Sequence, residues 1–442
     1  MRSTLRFMRF SERNVTTARR CDMDRFSQTG YESRVDRLRA CVCVVGAGPA
    51  GLVVAHRLLA AGVSCIVLER SSSEALLQRT KAGMLEHRSV QALRPHGLAA
   101  PILERGTTNG VVEICVDGAR QVFDYAALTG GHGHYVYPQH LLVRAWADQL
   151  VAAGGRLSFS TEAHAIEARG AQAGDSALAS PSGSTLRARK AGESVLVDCD
   201  AVVIATGASA ALIPHELASH DHAHPFRWLT TMIEMPPLGE RTIYATHRHG
   251  FAAHLRRSAQ LTRYYLQIPA GDSLDAWSDE RVKAELEVRF GIAGQGLISG
   301  PVVERDVLDL RVRVREPLQR GNIYLAGDAA HLITPAGGKG MNLAIADALE
   351  LAEGLIEAVA RRPERLARYS DTRLPAIWRT QEFSNWMLTL FCGGVLNFQK
   401  SAPDPAATFA QRLHRAQVER LFTEPAFARW FAHRYAGVDD GV

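Results

Sequence analysis

A regular pattern of apolar and polar positions first appears near Arg39. Cys41–Val45 is an unbroken apolar run, short enough for a strand buried on both faces. Gly46-Ala47-Gly48-Pro49-Ala50-Gly51 turns it into a helix ending near Gly62, and Ser64–Leu68 is a second strand closed by Glu69. The opening segment therefore predicts a βαβ unit. Residues 79–104 are helical in patches, 111–125 alternates like a hairpin, and His140–Ala153 is amphipathic with Leu141, Leu142, Ala145, Trp146 and Leu150 on one stripe. Short strands are expected over Leu157–Val203, interrupted by a polar Gly/Ser stretch at 170–194. More are expected over Leu229–Pro269, where Arg263-Tyr264-Tyr265-Leu266-Gln267 alternates. A helix near 278–290, a buried strand at Ile323–Ala326, a long helix at Met341–Ala360 and a largely helical 363–435 complete the pattern.

Strands inserted into a βαβ framework predict an α/β fold. A Rossmann-like nucleotide-binding domain (39–215 and 309–360) is interrupted by a β-rich substrate domain (216–308) and followed by a helical C-terminal region (361–442). Residues 1–38 are expected to be a disordered or targeting-like extension, with Met23 as an alternative start. Residues 1–20 are rich in Arg, Ser and Thr, and Glu12 is their one acid.

Charge narrows the partners. The 442 residues carry 51 Lys and Arg against 46 Asp and Glu, and the whole excess of five lies in residues 1–40. The neutral body has no basic field to attract nucleic acid. No stretch reaches the ~18 apolar residues of a membrane span. Seven cysteines without a CxxC pair suggest reduced core thiols in a cytoplasmic protein, not a disulfide framework or zinc site. His220-Asp221-His222-Ala223-His224, in an expected polar loop, lacks a fourth ligand at a recognised spacing, so no metal is expected. Ser209 lies in no GxSxG elbow.

The glycine run has the strand–turn–helix context that GxGxxG chemistry needs. Gly46 allows the turn, Gly48 admits a pyrophosphate, Gly51 lets helix pack on strand, and Glu69 is placed to accept from a ribose diol. A second element, Ile323–His331, delivers Asp328 to a loop. Pro335-Ala336-Gly337-Gly338-Lys339-Gly340-Met341-Asn342 then opens a long helix. Its N-terminus can stabilise negative charge on a reduced isoalloxazine, which a simple NAD dehydrogenase does not need. FAD is the better reading.

From Cys41 to Gly437 the chain resembles the FAD-dependent aromatic hydroxylases. The likeness is carried by Val45–Leu52, Arg79–Glu86, Arg257–Gln267, Trp277–Arg281 and Leu325–His331. It implies FAD contacts at Gly46, Gly48, Ala50, Gly51, Glu69, Arg79, Lys81, Gln139, Asp328, Met341 and Asn342. Arg70, Arg79 and Arg311 match contacts to the nicotinamide co-substrate, NADH or NADPH. It also implies an aromatic-acid pocket of Tyr244, Leu255, Arg257, Tyr265 and the carbonyl of Pro335. There Arg257 pairs with the substrate carboxylate, Tyr265 adds a hydrogen bond, and Tyr244 and Tyr435 pass on the phenolic proton. The implied reaction uses O2 to hydroxylate 4-hydroxybenzoate ortho to its phenol, in a homodimer.

Three departures stand out. Asn109 replaces the relay histidine between the tyrosines and solvent. Leu255 replaces a carboxylate-binding serine. Thr206-Gly207, with Ser209 and Ile213, replaces an Asp-Gly motif. They keep two alternatives open: another para-substituted benzoate such as 4-aminobenzoate, or a flavin-binding redox protein that does not hydroxylate. Ser71–Ala75 lacks the aromatic residue of NADPH-selective members, and Glu74 would repel a 2′-phosphate, so NADH is expected to serve at least as well.

Overall fold

A computed structural model describes residues 36–78, 83–169, 183–393 and 405–438 of the chain. The α/β fold expected from the sequence is present as two eight-stranded sheets, a three-stranded sheet and C-terminal helices.

The first sheet grows around Asp36–Val45, in which Val42, Cys43 and Val44 are fully buried. It lies between Glu193–Ile204 and Cys65–Leu68, and Ile323–Leu325 and Arg156–Ser158 extend the parallel array on either side. Strands covered on both faces need no polar face, which explains the unbroken apolar runs. Helices Pro49–Ala60, Gln139–Ala152 and Lys339–Val359 join this core. On Gln139–Ala152 the buried stripe is Leu142, Val143, Trp146, Ala147 and Leu150. Leu141, expected in it, is exposed, because at about 100° per residue it falls on the far side of the helix.

The second sheet runs His331–Leu332, Val302–Glu316, Ala218–Ile233, Thr262–Pro269, Gly250–Arg256, Thr242–His247, Val111–Val116, Ala119–Asp124. The hairpin Val111–Asp124, grouped by sequence with the first domain, enters this sheet through a parallel pairing of Val111–Val116 with Thr242–His247. His220–His224 lies in a strand rather than a loop, and His220–Ala223 pair with Arg311–Val314. Alternation sends Tyr264 to one face, against helix Asp279–Arg289. Tyr265 goes to the other, against helices Tyr369–Cys392 and Pro425–Ala436. Among the described residues, no helix is long and apolar enough to cross a membrane.

Candidate active site

A cavity of about 510 Å³ opens where four parallel strands end, at Val45, Leu68, Ala205 and Ala326. Ligands of open α/β sheets bind at such carboxyl ends. Gly46 has φ of 107°, and a Cβ there would sit 2.4 Å from the Ala205 carbonyl oxygen. A Cβ on Gly51 would sit 2.0 Å from the Gly46 carbonyl oxygen, so helix and strand touch through backbone alone. A Cβ on Gly48 would meet nothing within 4 Å, and this residue lines the cavity with Ala50.

Glu69 is buried at the cavity wall. Its Oε2 accepts from the Ala47 N–H and its Oε1 from the Ser71 N–H, both at 2.9 Å. Each oxygen keeps a lone pair for a ribose hydroxyl. Arg70, Gln139, Thr206, Gly207 and Ser209 line the same end. The half-buried Asp328, with Pro335 and Met341, lines the stretch that leads to helix Lys339–Val359. Neither this helix nor Pro49–Ala60 has a side chain capping its N-terminus, which leaves N–H donors for an anion or an electron-rich ring edge. This donor set fits a flavin dinucleotide: a clear glycine floor with a helix dipole for phosphate, acids for hydroxyls and a second dipole for the ring. Asn342 stands behind the wall. Its amide accepts from the Glu86 N–H and donates to the carbonyls of Met84 and Gly338, tying the helix start to the strand below. Arg79 and Lys81 lie outside the described residues.

Side chains from the second sheet form the other end. Tyr244, Ala253, Tyr265 and Thr230 oppose one another in a row across four strands, and Leu255 opposes Arg263 in the next row of the same face. The Tyr244 and Tyr435 hydroxyls are 2.9 Å apart although 191 residues separate them in sequence. Burial raises the pKa of both phenols, so both are neutral at neutral pH. Tyr265 lines the cavity; Tyr244, Leu255 and Tyr435 sit in the aromatic cluster beside it.

Arg257 lies just past the strand end in a turn closed by its N–H and the Leu261 carbonyl, and as a whole residue it is exposed. Desolvation of its guanidinium, partly offset by electrostatic attraction to Tyr265, pulls its pKa below the usual arginine value while leaving it charged. A second guanidinium lies in the stretch that carries the family resemblance but was given no role from the sequence. Arg263 lines the cavity with its side chain 11% exposed, pairs with Glu304 at 2.9 Å and buries Nε without a hydrogen-bond partner. Its signal was alternation, which places it on the face of Tyr265. Arg311 also lines the cavity.

Lys339 and Glu86 form a buried ion pair at 2.5 Å, and Lys339 also donates to the carbonyls of Arg434 and Tyr435. Burial would raise Glu86, but Lys339 and Arg88 outweigh it and hold the carboxyl below its usual range. The Asn109 side chain accepts from the Val111 N–H, while its backbone carbonyl accepts from the Tyr125 hydroxyl. Among the described residues, no group of three or more His, Cys, Asp or Glu could hold a metal ion.

Residues 39–384 match the family model of the FAD binding domain. The chain is 29% identical over 407 residues to the p-hydroxybenzoate hydroxylase of Acinetobacter baylyi, covering 91% of this chain and 96% of that one. It is 26% identical over 371 residues to the 3-amino-4-hydroxybenzoate 2-monooxygenase of Streptomyces platensis, covering 78% and 87%. The crystal structure of p-nitrophenol 4-monooxygenase from Pseudomonas putida shares the fold, with a TM-score of 0.74, 20% identity, and coverage of 92% and 100%.

Proposed function

The chain belongs to the FAD-binding aromatic monooxygenases, and from that premise we propose that it hydroxylates 4-hydroxybenzoate to 3,4-dihydroxybenzoate with NAD(P)H and O2. The observation that carries this reading is the hydrogen bond between Tyr244 and Tyr435 on the sheet face that also bears Tyr265. Bound FAD supplies the activated oxygen. The protein's task is to hold the ring and remove its phenolic proton.

A benzoate carboxylate placed between Arg257 and Tyr265 gains charge-assisted hydrogen bonds. Across the ring, the phenol faces Tyr244 and the Pro335 carbonyl. Tyr244 accepts the proton as it gives its own to Tyr435, and the resulting phenolate enriches the ortho carbon for attack by an electrophilic oxygen. The cluster of Trp228, Phe251 and Phe391 around Tyr244 excludes water from that end.

The co-substrate reading rests on Arg70 and Arg311 at the cavity and on Glu74. Hydrogen bonds to that carboxylate from backbone and from Ser72 and Ser73 lower its pKa, so its charge opposes a 2′-phosphate. NADH therefore serves at least as well as NADPH; a hundredfold kcat/KM preference for NADPH would refute it. We also propose a homodimer.

Leu255 favours one second reading, a different para-substituted benzoate such as 4-aminobenzoate, because it offers the acid end no hydrogen bond. NADH oxidation in the presence of a panel of benzoates, with product analysis, decides. 4-Hydroxybenzoate should give the strongest stimulation and stoichiometric catechol. Hydrogen peroxide as the sole product would point to a flavoprotein that does not hydroxylate.

A further inference from the structure

The helix Lys339–Val359 carries a completely buried acid, Asp347, which lines no part of the cavity and has no task in the chemistry above. Its Oδ2 accepts from the Gly327 N–H at 3.2 Å and from His331 Nε2 at 2.5 Å. Its Oδ1 accepts from Arg373 Nε at 2.8 Å. Burial would raise the Asp347 carboxyl, but His331 and then Arg373 outweigh it and hold it below its usual range, so it is an acceptor only.

Gly327 and His331 are the two ends of the turn that carries Asp328, the half-buried acid at the cavity. A single oxygen therefore ties those ends together. Gly327 follows the first sheet's strand Ile323–Leu325, His331 opens the second sheet's strand His331–Leu332, and Arg373 comes from helix Tyr369–Cys392. One carboxylate thus joins both sheets and two helices at this turn. Gly327 has φ of 65°, and a Cβ there would sit 3.2 Å from the Ala344 Cβ and 3.4 Å from the Ala50 Cβ, so the turn is already pressed against both cavity helices. Arg315 Nη1 holds the Ala329 carbonyl, next after Asp328, at 2.9 Å. A buried ion pair adds little net stability once desolvation is counted. A carboxylate that grips both ends of a turn does what an apolar residue could not: it sets the span of the turn.

We propose that Asp347 and His331 are positioning residues for the flavin, holding the Gly327–His331 turn at the span that presents the Asp328 carboxylate to a flavin hydroxyl. This rests on the reading that Asp328 accepts from such a hydroxyl. Neither residue lines the cavity; both act through Asp328.

The test removes flavin from the full chain and titrates FAD back, reading its dissociation constant from fluorescence quenching in a cycle with Asp328→Ala. His331→Leu releases one end of the turn and leaves the Asp347–Arg373 pair in place. It should weaken FAD binding about tenfold or more when Asp328 is present, and by less than about twofold in the Asp328→Ala background. His331→Gln, whose amide can donate to the same oxygen, should recover most of the affinity. If His331→Leu does not fold, Asp347→Asn carries the same cycle, because its one amide oxygen cannot hold both the turn and Arg373. A residue that merely supports the fold would weaken FAD by the same factor in both backgrounds, alongside a lower denaturation midpoint of the flavin-free chain. Equal factors, or unchanged affinity in His331→Leu, overturn the proposal. If Asp328→Ala alone binds FAD as tightly as the unsubstituted chain, the reading of Asp328 fails, and the proposal with it.

Discussion

At the carboxyl ends of the parallel strands, the cavity is walled largely by backbone: glycines 46, 48 and 51, two uncapped helix starts, and a carboxylate pinned by N–H groups. At the other end it is walled by side chains, and their meeting depends on register. Tyr244 opposes Ala253, Ala253 opposes Tyr265, and Tyr435 arrives from the last helix. A backbone site tolerates no added atom at its contact points but little constrains chemistry elsewhere. A side-chain site can exchange single groups while keeping its shape, as Leu255 and Asn109 illustrate.

The sharpest way to break the contrast is at the backbone end. Gly51→Val places two extra methyls where even a Cβ would collide with the Gly46 carbonyl. Purified protein should then lack the visible absorbance of flavin, and a yellow variant would show the contact is not required. Next in size is the ion pair behind the ring site. Lys339→Met leaves the buried Glu86 with the exposed Arg88 as its remaining cation, and chemical denaturation should show a loss of roughly 3 kcal/mol.

The same pair carries a pH signature. The folded Glu86 carboxyl is held below its unfolded value, so its contribution is complete above about pH 4.3 and is lost as pH falls through the folded pKa. Lys339→Met should flatten that acid limb.

At the side-chain end, the two guanidiniums should separate by what already pairs them. Arg257→Ala is expected to weaken 4-hydroxybenzoate binding by roughly 2–4 kcal/mol, and Arg263→Ala, whose guanidinium already pairs with Glu304, by about 1–2 kcal/mol, read from flavin spectral titrations. The reverse order would move the carboxylate to Arg263. Smallest is Leu255→Ser, which should tighten binding by about 1 kcal/mol by adding a hydrogen bond to the acid. No change would place Leu255 away from it.

The same contrast explains what the sequence made legible. The glycine turn, Glu69 and the strand Ile323–Leu325 that leads to Asp328 depend on local spacing, so they could be read directly. The sharing of one sheet face by Tyr244, Leu255 and Tyr265 followed only from family resemblance, because register between distant strands leaves no local trace. The hairpin Val111–Asp124 was visible as a hairpin, but its parallel pairing with Thr242–His247 was not. Arg263 could have been found from alternation with Tyr265. The Lys339–Glu86 ion pair could not: its partners lie 253 residues apart, and nothing near either in sequence marks the pairing.

Tyr435, the proposed proton partner, is delivered by the final described helix, Pro425–Ala436, whereas the glycine-and-helix cradle is complete by Val359. During synthesis, a growing chain therefore acquires the cradle proposed for its coenzyme long before the phenol proposed to complete its chemistry. Fragments stopped short of that helix are expected to waste reducing equivalents as peroxide, which an oxidase assay on a truncation at Glu424 would register.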